Sequence, residues 1–84
     1  MKYSLFILPR AQREMASLGP QEREKIRKAI LGLQEHPRPA QSRKLTGRDG
    51  WRMRVGNYRV IYEIDDAVRS VTILNLGHRR EIYR

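Results

Sequence analysis

The residues most able to do chemistry are arginines gathered around one predicted hairpin. Residues 51–62 are typical of two strands joined by a two-residue Gly-Asn turn, which fixes the pairing register. Successive side chains on a strand alternate between faces, so one face of this hairpin carries Arg52, Arg54, Arg59 and Ile61. Like charges opposite each other destabilise a hairpin by up to about 1 kcal/mol. Because guanidinium groups bind phosphate bidentately and keep their charge, the cluster predicts a phosphate-binding surface.

More cations flank this hairpin in the chain. The preceding loop, residues 37–50, carries Arg43, Lys44 and Arg48, and the C-terminal segment carries Arg79, Arg80, Tyr83 and Arg84. We expect the C-terminal segment to lie across the sheet edge near the arginines. Tyr83 has two interpretations, since a penultimate aromatic residue can pin the chain end, whereas an aromatic ring beside arginines can stack on an RNA base or place its hydroxyl near a phosphate.

The residue types restrict the chemistry that such a surface could perform. The sequence has no cysteine, and His36 and His78 lack metal-ligand spacing, so neither a metal nor a cofactor is predicted. Paired carboxylates, a Ser/His/Asp arrangement and a glycine-rich phosphate loop are also missing. RNA supplies its own nucleophile, the 2′-hydroxyl, so arginines that align the phosphodiester and stabilise its developing charge need only a proton-transfer group beside them.

Length and charge limit the organisation of the protein. Its 84 residues predict a single domain over 1–84, and a net charge of +9 favours nucleic acid, an acidic partner or an anionic membrane surface. Residues 37–84 carry eleven basic and five acidic side chains, so the positive field belongs to this half. No apolar run approaches the roughly 20 residues of a spanning helix, and the N-terminus lacks a signal-peptide profile. These features predict a cytoplasmic protein without membrane attachment.

The elements that position the arginines follow from hydrophobic spacing. An apolar strand over residues 3–8 ends at Pro9, a first helix ends at Gly19, and a second helix begins at Pro20. Glu24 lies four residues before Lys28, which predicts a helical ion pair. The buried helix positions are Ala11, Met15, Leu18, Ile26, Ala29, Ile30 and Leu33, and the buried hairpin positions are Trp51, Met53, Val55, Tyr58, Val60 and Tyr62.

The last strand is predicted over residues 68–76. Its apolar residues fall on both faces, Val71 and Ile73 on one and Leu74 and Leu76 on the other, which is typical of a strand inside a sheet. The sequence therefore predicts an α+β fold in the order β-α-α-β-β-β. In this fold a helical hairpin packs on one face of a small, mainly antiparallel four-stranded sheet.

Three ordered segments resemble the RelE branch of the RelE/ParE toxins. They are Lys-Leu-Thr-Gly at 44–47, the hairpin at 51–62, and Leu-Gly-His-Arg-Arg-Glu-Ile-Tyr at 76–83. The resemblance covers essentially the whole chain, and the order of elements is also similar. It implies a toxin of a type II toxin–antitoxin system that cleaves messenger RNA in the ribosomal A site without a metal. It also implies a RelB-like antitoxin, the ribosome and messenger RNA as partners.

By position, the resemblance assigns catalysis to Arg52, Arg54, Arg59, Arg79 and Tyr83. RNA and ribosome binding then falls to Arg43, Lys44, Arg48, Arg80 and Arg84. The best-known relatives have lysines in place of Arg52 and Arg54, and an arginine with a pKa above about 12 is a poor general base. Tyr83, His78 or water therefore remain as candidates for the base, with Arg79 supporting the leaving 5′-oxygen.

Two other functions are compatible with these features. A ParE-like toxin would inhibit DNA gyrase without cutting RNA, but it would not need the five candidate catalytic residues on one surface. A basic RNA- or ribosome-binding domain would tolerate the loss of Tyr83 and would associate with ribosomes without cleavage. The retained arginines and tyrosine favour the nuclease.

Overall fold

The computed structural model describes residues 2–78, which form two helices and a five-stranded sheet. The elements are β1 Ser4–Ile7, α1 Pro9–Ala16, α2 Pro20–Gly32, β2 Ser42–Lys44, β3 Trp51–Val55, β4 Tyr58–Asp65 and β5 Ser70–His78. The strands lie in the order β1-β5-β4-β3-β2, and among these pairs only β1 and β5 run parallel. The predicted α+β class, with a helical hairpin packed on a mainly antiparallel sheet, is confirmed.

The strand count differs from the prediction because β2 lies within the segment assigned to a loop. Arg43 pairs with Arg52, and Leu45 donates its backbone N–H to the carbonyl of Gly50 at 3.0 Å. Gly50 has a φ of +119°, a conformation that residues with a side chain rarely adopt. A three-residue strand with two cations offers no alternation of apolar residues, so the sequence pattern did not reveal it.

The central hairpin has the predicted register. Its pairs are Trp51 with Tyr62, Arg52 with Ile61, Met53 with Val60, Arg54 with Arg59, and Val55 with Tyr58. Met53, Val60 and Tyr62 are fully buried. The other three predicted core residues of the hairpin are partly buried and pack against the same core. The arginine face is therefore turned away from the helices.

The first helix is shorter than predicted and is capped by the second. α1 ends at Ala16 rather than near Gly19, although Leu18 still packs against the core. The guanidinium of Arg23 donates to the carbonyls of Met15 at 3.3 Å, Ala16 at 3.4 Å and Leu18 at 2.8 Å. Because the last carbonyls of a helix lack partners within it, this contact stabilises the α1–α2 turn.

α2 buries the predicted face. Ile26, Ile30 and Leu33 are buried in the core, and Ala29 packs against it. The predicted ion pair between Glu24 and Lys28 is wrong, because Glu24 pairs with a different cation. Glu24 contacts Arg27 at 3.4 Å, one residue before Lys28, and both partners are exposed.

β5 lies between β1 and β4, which confirms that it is interior, but Leu76 joins the core with Val71 and Ile73, whereas Leu74 does not. Tyr62 pairs with Ile73 while the next residue, Ile61, pairs with Asn75, so Leu74 is an extra residue in a β-bulge. The bulge shifts the alternation of side chains between the two faces of the sheet by one residue. As a result Val71, Ile73 and Leu76 all join one core.

The free edge of β1 is hydrogen-bonded by the chain itself at its two ends. Tyr3 donates its N–H to the Gln34 carbonyl at 2.8 Å and accepts from the Gln34 side chain at 3.1 Å. The Gln12 side chain donates to the Ile7 carbonyl at 2.8 Å. Edges occupied in this way resist pairing with another chain.

Candidate nucleic-acid interface and catalytic cleft

Four arginines and one glutamine line a cleft of about 240 Å³ on the sheet face away from the helices. The lining residues are Gln41, Arg43, Arg52, Arg54 and Arg59. The pairing of β2 with β3 places Arg43 beside Arg52, and the pairing of β3 with β4 places Arg54 beside Arg59. Three neighbouring strands thus present guanidinium groups to one opening, as a polyanion would require.

The arginines of the cleft differ in exposure. Arg59 is only 6% exposed, and its guanidinium donates to the Tyr58 carbonyl at 3.4 Å. Arg54 is exposed, and Arg52 is half-buried. A charge removed from water acts through a lower effective dielectric, so an anion in this cleft is attracted more strongly by Arg59 than by a fully solvated arginine.

Arg43 is held in place by the backbone of β2. Its guanidinium donates to the carbonyls of Ala40 at 3.2 Å and Ser42 at 2.9 Å. These contacts restrict its side chain, so little further conformational entropy is lost when it binds a phosphate. The sequence placed Arg43 in a loop, and the structure places it in the cleft.

Lys44 and Arg48 do not line this cleft. The Lys44 ammonium lies 5.9 Å from the centre of the Trp51 ring, where it makes a cation–π contact. Lys44 lines a second cavity, of about 460 Å³, together with Asp49, Glu63, Asp65 and Asp66 among others. Arg48 is exposed in the turn before β3. A role for Lys44 or Arg48 in RNA or ribosome binding stays a prediction, outside the residues that line the arginine cleft.

His78 lies on the other side of the sheet. It pairs with Tyr58 in register, and the two rings meet edge to face at 5.8 Å. It lines a helix-side groove with Glu14, Ser17 and Leu18, among others. Because the arginines occupy the opposite face, this geometry argues against His78 as the general base. Arg79, Arg80, Tyr83 and Arg84 lie outside the described residues, and their assignments stay predictions.

A charged network at the far end of the sheet was not predicted. Asp66 accepts from the Arg38 guanidinium at 2.8 Å and from the Tyr3 hydroxyl at 2.7 Å. The hydrogen bond from Arg38 has the largest effect on Asp66 and lowers its pKa, and the bond from Tyr3 lowers it further. The bond between Tyr3 and Asp66 also raises the pKa of Tyr3. The Arg38 guanidinium also lies 5.2 Å from the centre of the Trp51 ring. The network is solvent-exposed and joins three distant chain segments.

Gln41 lines the arginine cleft but was not predicted from the sequence. A polar residue in a loop gives no signal by itself. The available clue was its position in the sequence, two residues before Arg43 and directly before the first residue of β2. Within residues 2–78, no cluster of histidine and acidic side chains is arranged to hold a metal, and neither helix is long and apolar enough to span a membrane.

Sequence comparison identifies the class of protein to which this fold and cleft belong. Residues 5–83 match the family described as ParE toxin of type II toxin–antitoxin systems, and the chain belongs to that family. Within it, the chain is a RelE-type toxin. It is 31% identical over 88 residues to the mRNA interferase toxin RelE of Escherichia coli, covering 99% of this chain and 92% of the relative. It is 33% identical over 89 residues to the toxin RelG of Mycobacterium tuberculosis, covering 100% and 99% of the two chains.

Solved structures show the same fold. The toxin–antitoxin complex RelBE2 from Mycobacterium tuberculosis contains a chain that superposes with a TM-score of 0.83 at 27% identity, covering 94% of this chain and 100% of that one. The archaeal RelE–RelB complex from Pyrococcus horikoshii gives a TM-score of 0.85 at 28% identity, with coverage of 96% and 99%.

Proposed function

We propose that this toxin is a ribosome-dependent endoribonuclease that cleaves messenger RNA in the A site and so inhibits translation. The observation that carries the proposal is the cleft in which guanidinium groups of three adjacent strands converge. The name of the Escherichia coli relative, an mRNA interferase, supports the same activity. The protein would act in the cytoplasm, where its substrate is translated.

The reaction uses the 2′-hydroxyl of the RNA as nucleophile. The 2′-oxygen attacks the adjacent phosphorus and loses its proton to a base, while the bond from phosphorus to the 5′-oxygen breaks and that oxygen gains a proton. The products are a 2′,3′-cyclic phosphate and a 5′-hydroxyl end. Arg52, Arg54 and Arg59 align the phosphate and stabilise the charge that develops on its oxygens. This reaction does not require a metal, because the RNA supplies the nucleophile and the arginines supply the charge stabilisation.

Proton transfer is assigned to residues in the C-terminal segment. Arginine does not lose its proton near neutral pH, and His78 lies against the helix-side groove. Tyr83 is therefore the proposed base, since neighbouring cations lower the pKa of a phenol. Arg79 is proposed to stabilise the leaving oxygen, and Arg43, Arg80 and Arg84 to contact flanking phosphates or ribosomal RNA.

A RelB-like antitoxin is the proposed protein partner. The structural relatives from Mycobacterium tuberculosis and Pyrococcus horikoshii are toxin–antitoxin complexes, which supports a similar complex here. The gyrase-inhibiting alternative is not favoured, because the relatives named above are RelE-type and RelG toxins rather than gyrase inhibitors.

Primer extension on a translated messenger tests the proposal. We expect new 5′ ends within codons when wild-type toxin is added to translating ribosomes, and none with Arg54→Ala, which removes a cleft arginine. Ribosome association without new 5′ ends would show a binding domain instead. Inhibition of gyrase without RNA cleavage would restore the ParE-like alternative.

A further inference from the structure

The arginine cleft contains one side chain that offers an acceptor as well as a donor. Of the five lining residues, four are arginines, whose guanidinium groups are donors only. Gln41 is the exception, because its carboxamide carries an acceptor oxygen beside a donor NH₂. A phosphodiester offers only acceptors to the protein at neutral pH. The NH₂ of Gln41 could donate to a phosphate oxygen, but its acceptor oxygen matches a donor elsewhere on the nucleotide.

The position of Gln41 is fixed relative to the arginines. Its backbone carbonyl accepts the N–H of Arg54 at 3.3 Å, which anchors it directly before β2 and beside the cleft strand β3. Its side chain is exposed, and within residues 2–78 no hydrogen bond engages the carboxamide. The group is thus anchored at its backbone and available to a ligand at its tip.

We propose that Gln41 reads the Hoogsteen edge of one messenger base next to the cleaved phosphodiester and that it selects adenine. This inference rests on the proposed nuclease function. Bases of single-stranded RNA can be splayed out and recognised on their Watson–Crick and Hoogsteen edges. A carboxamide pairs bidentately with adenine, accepting from the N6 amino group and donating to N7. Gln41 lines the same cleft as the arginines proposed to hold the phosphate, so we place the base attached to that phosphate beside its carboxamide.

The choice of adenine follows from the donors and acceptors in the cleft. Guanine presents two acceptors on its Hoogsteen edge, which suits arginine rather than a carboxamide. Arginines engaged with phosphate are not available for that pairing. On the same edge cytosine presents only a donor and uracil only an acceptor, whereas adenine presents a donor beside an acceptor, the pattern complementary to Gln41.

The experiment measures single-turnover cleavage on ribosomes programmed with messengers that differ only in one A-site base. Wild-type toxin should cleave fastest with adenine at one codon position, by roughly 5- to 150-fold over the least favoured base, the range for one bidentate contact. Gln41→Ala should reduce this ratio to near unity, chiefly by slowing cleavage of the adenine messenger. Gln41→Glu, which offers only acceptors, should also lose the adenine preference.

Gln21→Ala is the matched control, because Gln21 is an exposed glutamine on α2, outside the residues that line the cleft. It should keep the wild-type ratio. Cleavage without adenine preference in the wild type, or a preference that survives in Gln41→Ala, would overturn the inference and leave the nuclease function intact. Absence of cleavage on every messenger would instead overturn the proposed function, and this inference with it.

Discussion

Arg54 and Arg59 face each other across the central hairpin but differ in burial. Arg54 is exposed, whereas Arg59 is buried and its guanidinium contacts the Tyr58 carbonyl. The hairpin turn predicted their pairing, because a two-residue connection fixes the register. It did not predict the unequal burial, which depends on neighbouring side chains on other strands. Substitutions of Arg54 and of Arg59 should therefore not be expected to have the same effect on stability.

Arg54→Ala should leave stability almost unchanged or raise it slightly. The substitution removes one member of a like-charge pair, worth at most about 1 kcal/mol, and no core contact is lost. RNA cleavage should be abolished, because one of the charges that stabilise the transition state is missing. Thermal melting and the primer-extension assay measure the two effects. A large fall in melting temperature would mean that Arg54 is structural.

Tyr83→Phe tests the proposed base, since it removes the hydroxyl and keeps the ring. Single-turnover cleavage should fall by about 10²- to 10⁴-fold, the usual contribution of a general acid or base. Ribosome binding should change little, because stacking and packing are retained. A cleavage rate near that of the wild type would assign proton transfer to water and leave Tyr83 a stacking or anchoring residue.

At the scale of elements, the carboxylate of Glu14 on α1 forms a hydrogen bond with the backbone of β5. β1 pairs with β5 only as far as Ile73, so within residues 2–78 no strand pairs with the later part of that β5 edge. There the Leu76 N–H donates to the Glu14 carboxylate at 2.8 Å, and Leu76 is only 2% exposed. A buried amide without an acceptor is costly, so Glu14 performs the role of the missing strand.

Glu14→Ala should destabilise the protein by about 1–3 kcal/mol, the cost of leaving a buried N–H without a partner. Glu14→Gln keeps an acceptor oxygen and should cost less. Urea denaturation measures both variants. Glu24→Ala is the control, because it removes only an exposed ion pair and should cost about 0.5 kcal/mol or less. Equal losses for Glu14→Ala and Glu24→Ala would contradict the role of Glu14.

Elements with strong local signals could be predicted from the sequence, and those defined by tertiary pairing could not. The hairpin was marked by its turn and alternation, and α2 by Ile26, Ile30 and Leu33 at helical spacing. β2 has only three residues and depends on β3 for its definition. The bulge at Leu74 depends on the register with β4, which no local pattern specifies.

At the scale of the whole molecule, the contacts of Asp66 join the start of β1, the loop after α2 and the β4–β5 turn. The lowered pKa of Asp66 contributes stability that is present above its unfolded pKa of about 3.9 and lost as the pH falls below that value. The raised pKa of Tyr3 contributes stability that is present below about pH 10 and lost as the pH rises through its folded pKa. The same network thus weakens at both extremes.

Asp66→Asn should lower the melting temperature relative to wild type between about pH 5 and 9. In strong acid and in strong base the melting temperatures of the two proteins should differ less. Melting curves of both proteins from about pH 2 to 12 measure the effect. Asp49→Asn, at another exposed aspartate, is the control and should follow the wild-type profile. A constant difference between Asp66→Asn and wild type at all pH values would show that these ionisations do not contribute.

The net charge of +9 should govern how quickly the toxin meets an acidic antitoxin segment. Electrostatic steering raises association rates, and salt shortens its range from about 8 Å at physiological ionic strength to about 3 Å at 1 M. Stopped-flow mixing with the cognate antitoxin should show an association rate that falls at least about tenfold over this range. The dissociation rate should change much less. An association rate independent of salt would mean that the partner does not meet the basic face.

The bulge in β5 also bears on how the length of this chain can vary. Leu74 is the one residue of β5 between Ile73 and Asn75 without a pairing partner on β4. If Leu74 were deleted, Ile73 could still pair with Tyr62, and Asn75 with Ile61, so each side chain would keep its face. A deletion inside a central strand usually exchanges core and surface residues. Here the strand contains a position where evolution or design can shorten the chain by one residue and keep the pattern of core and cleft.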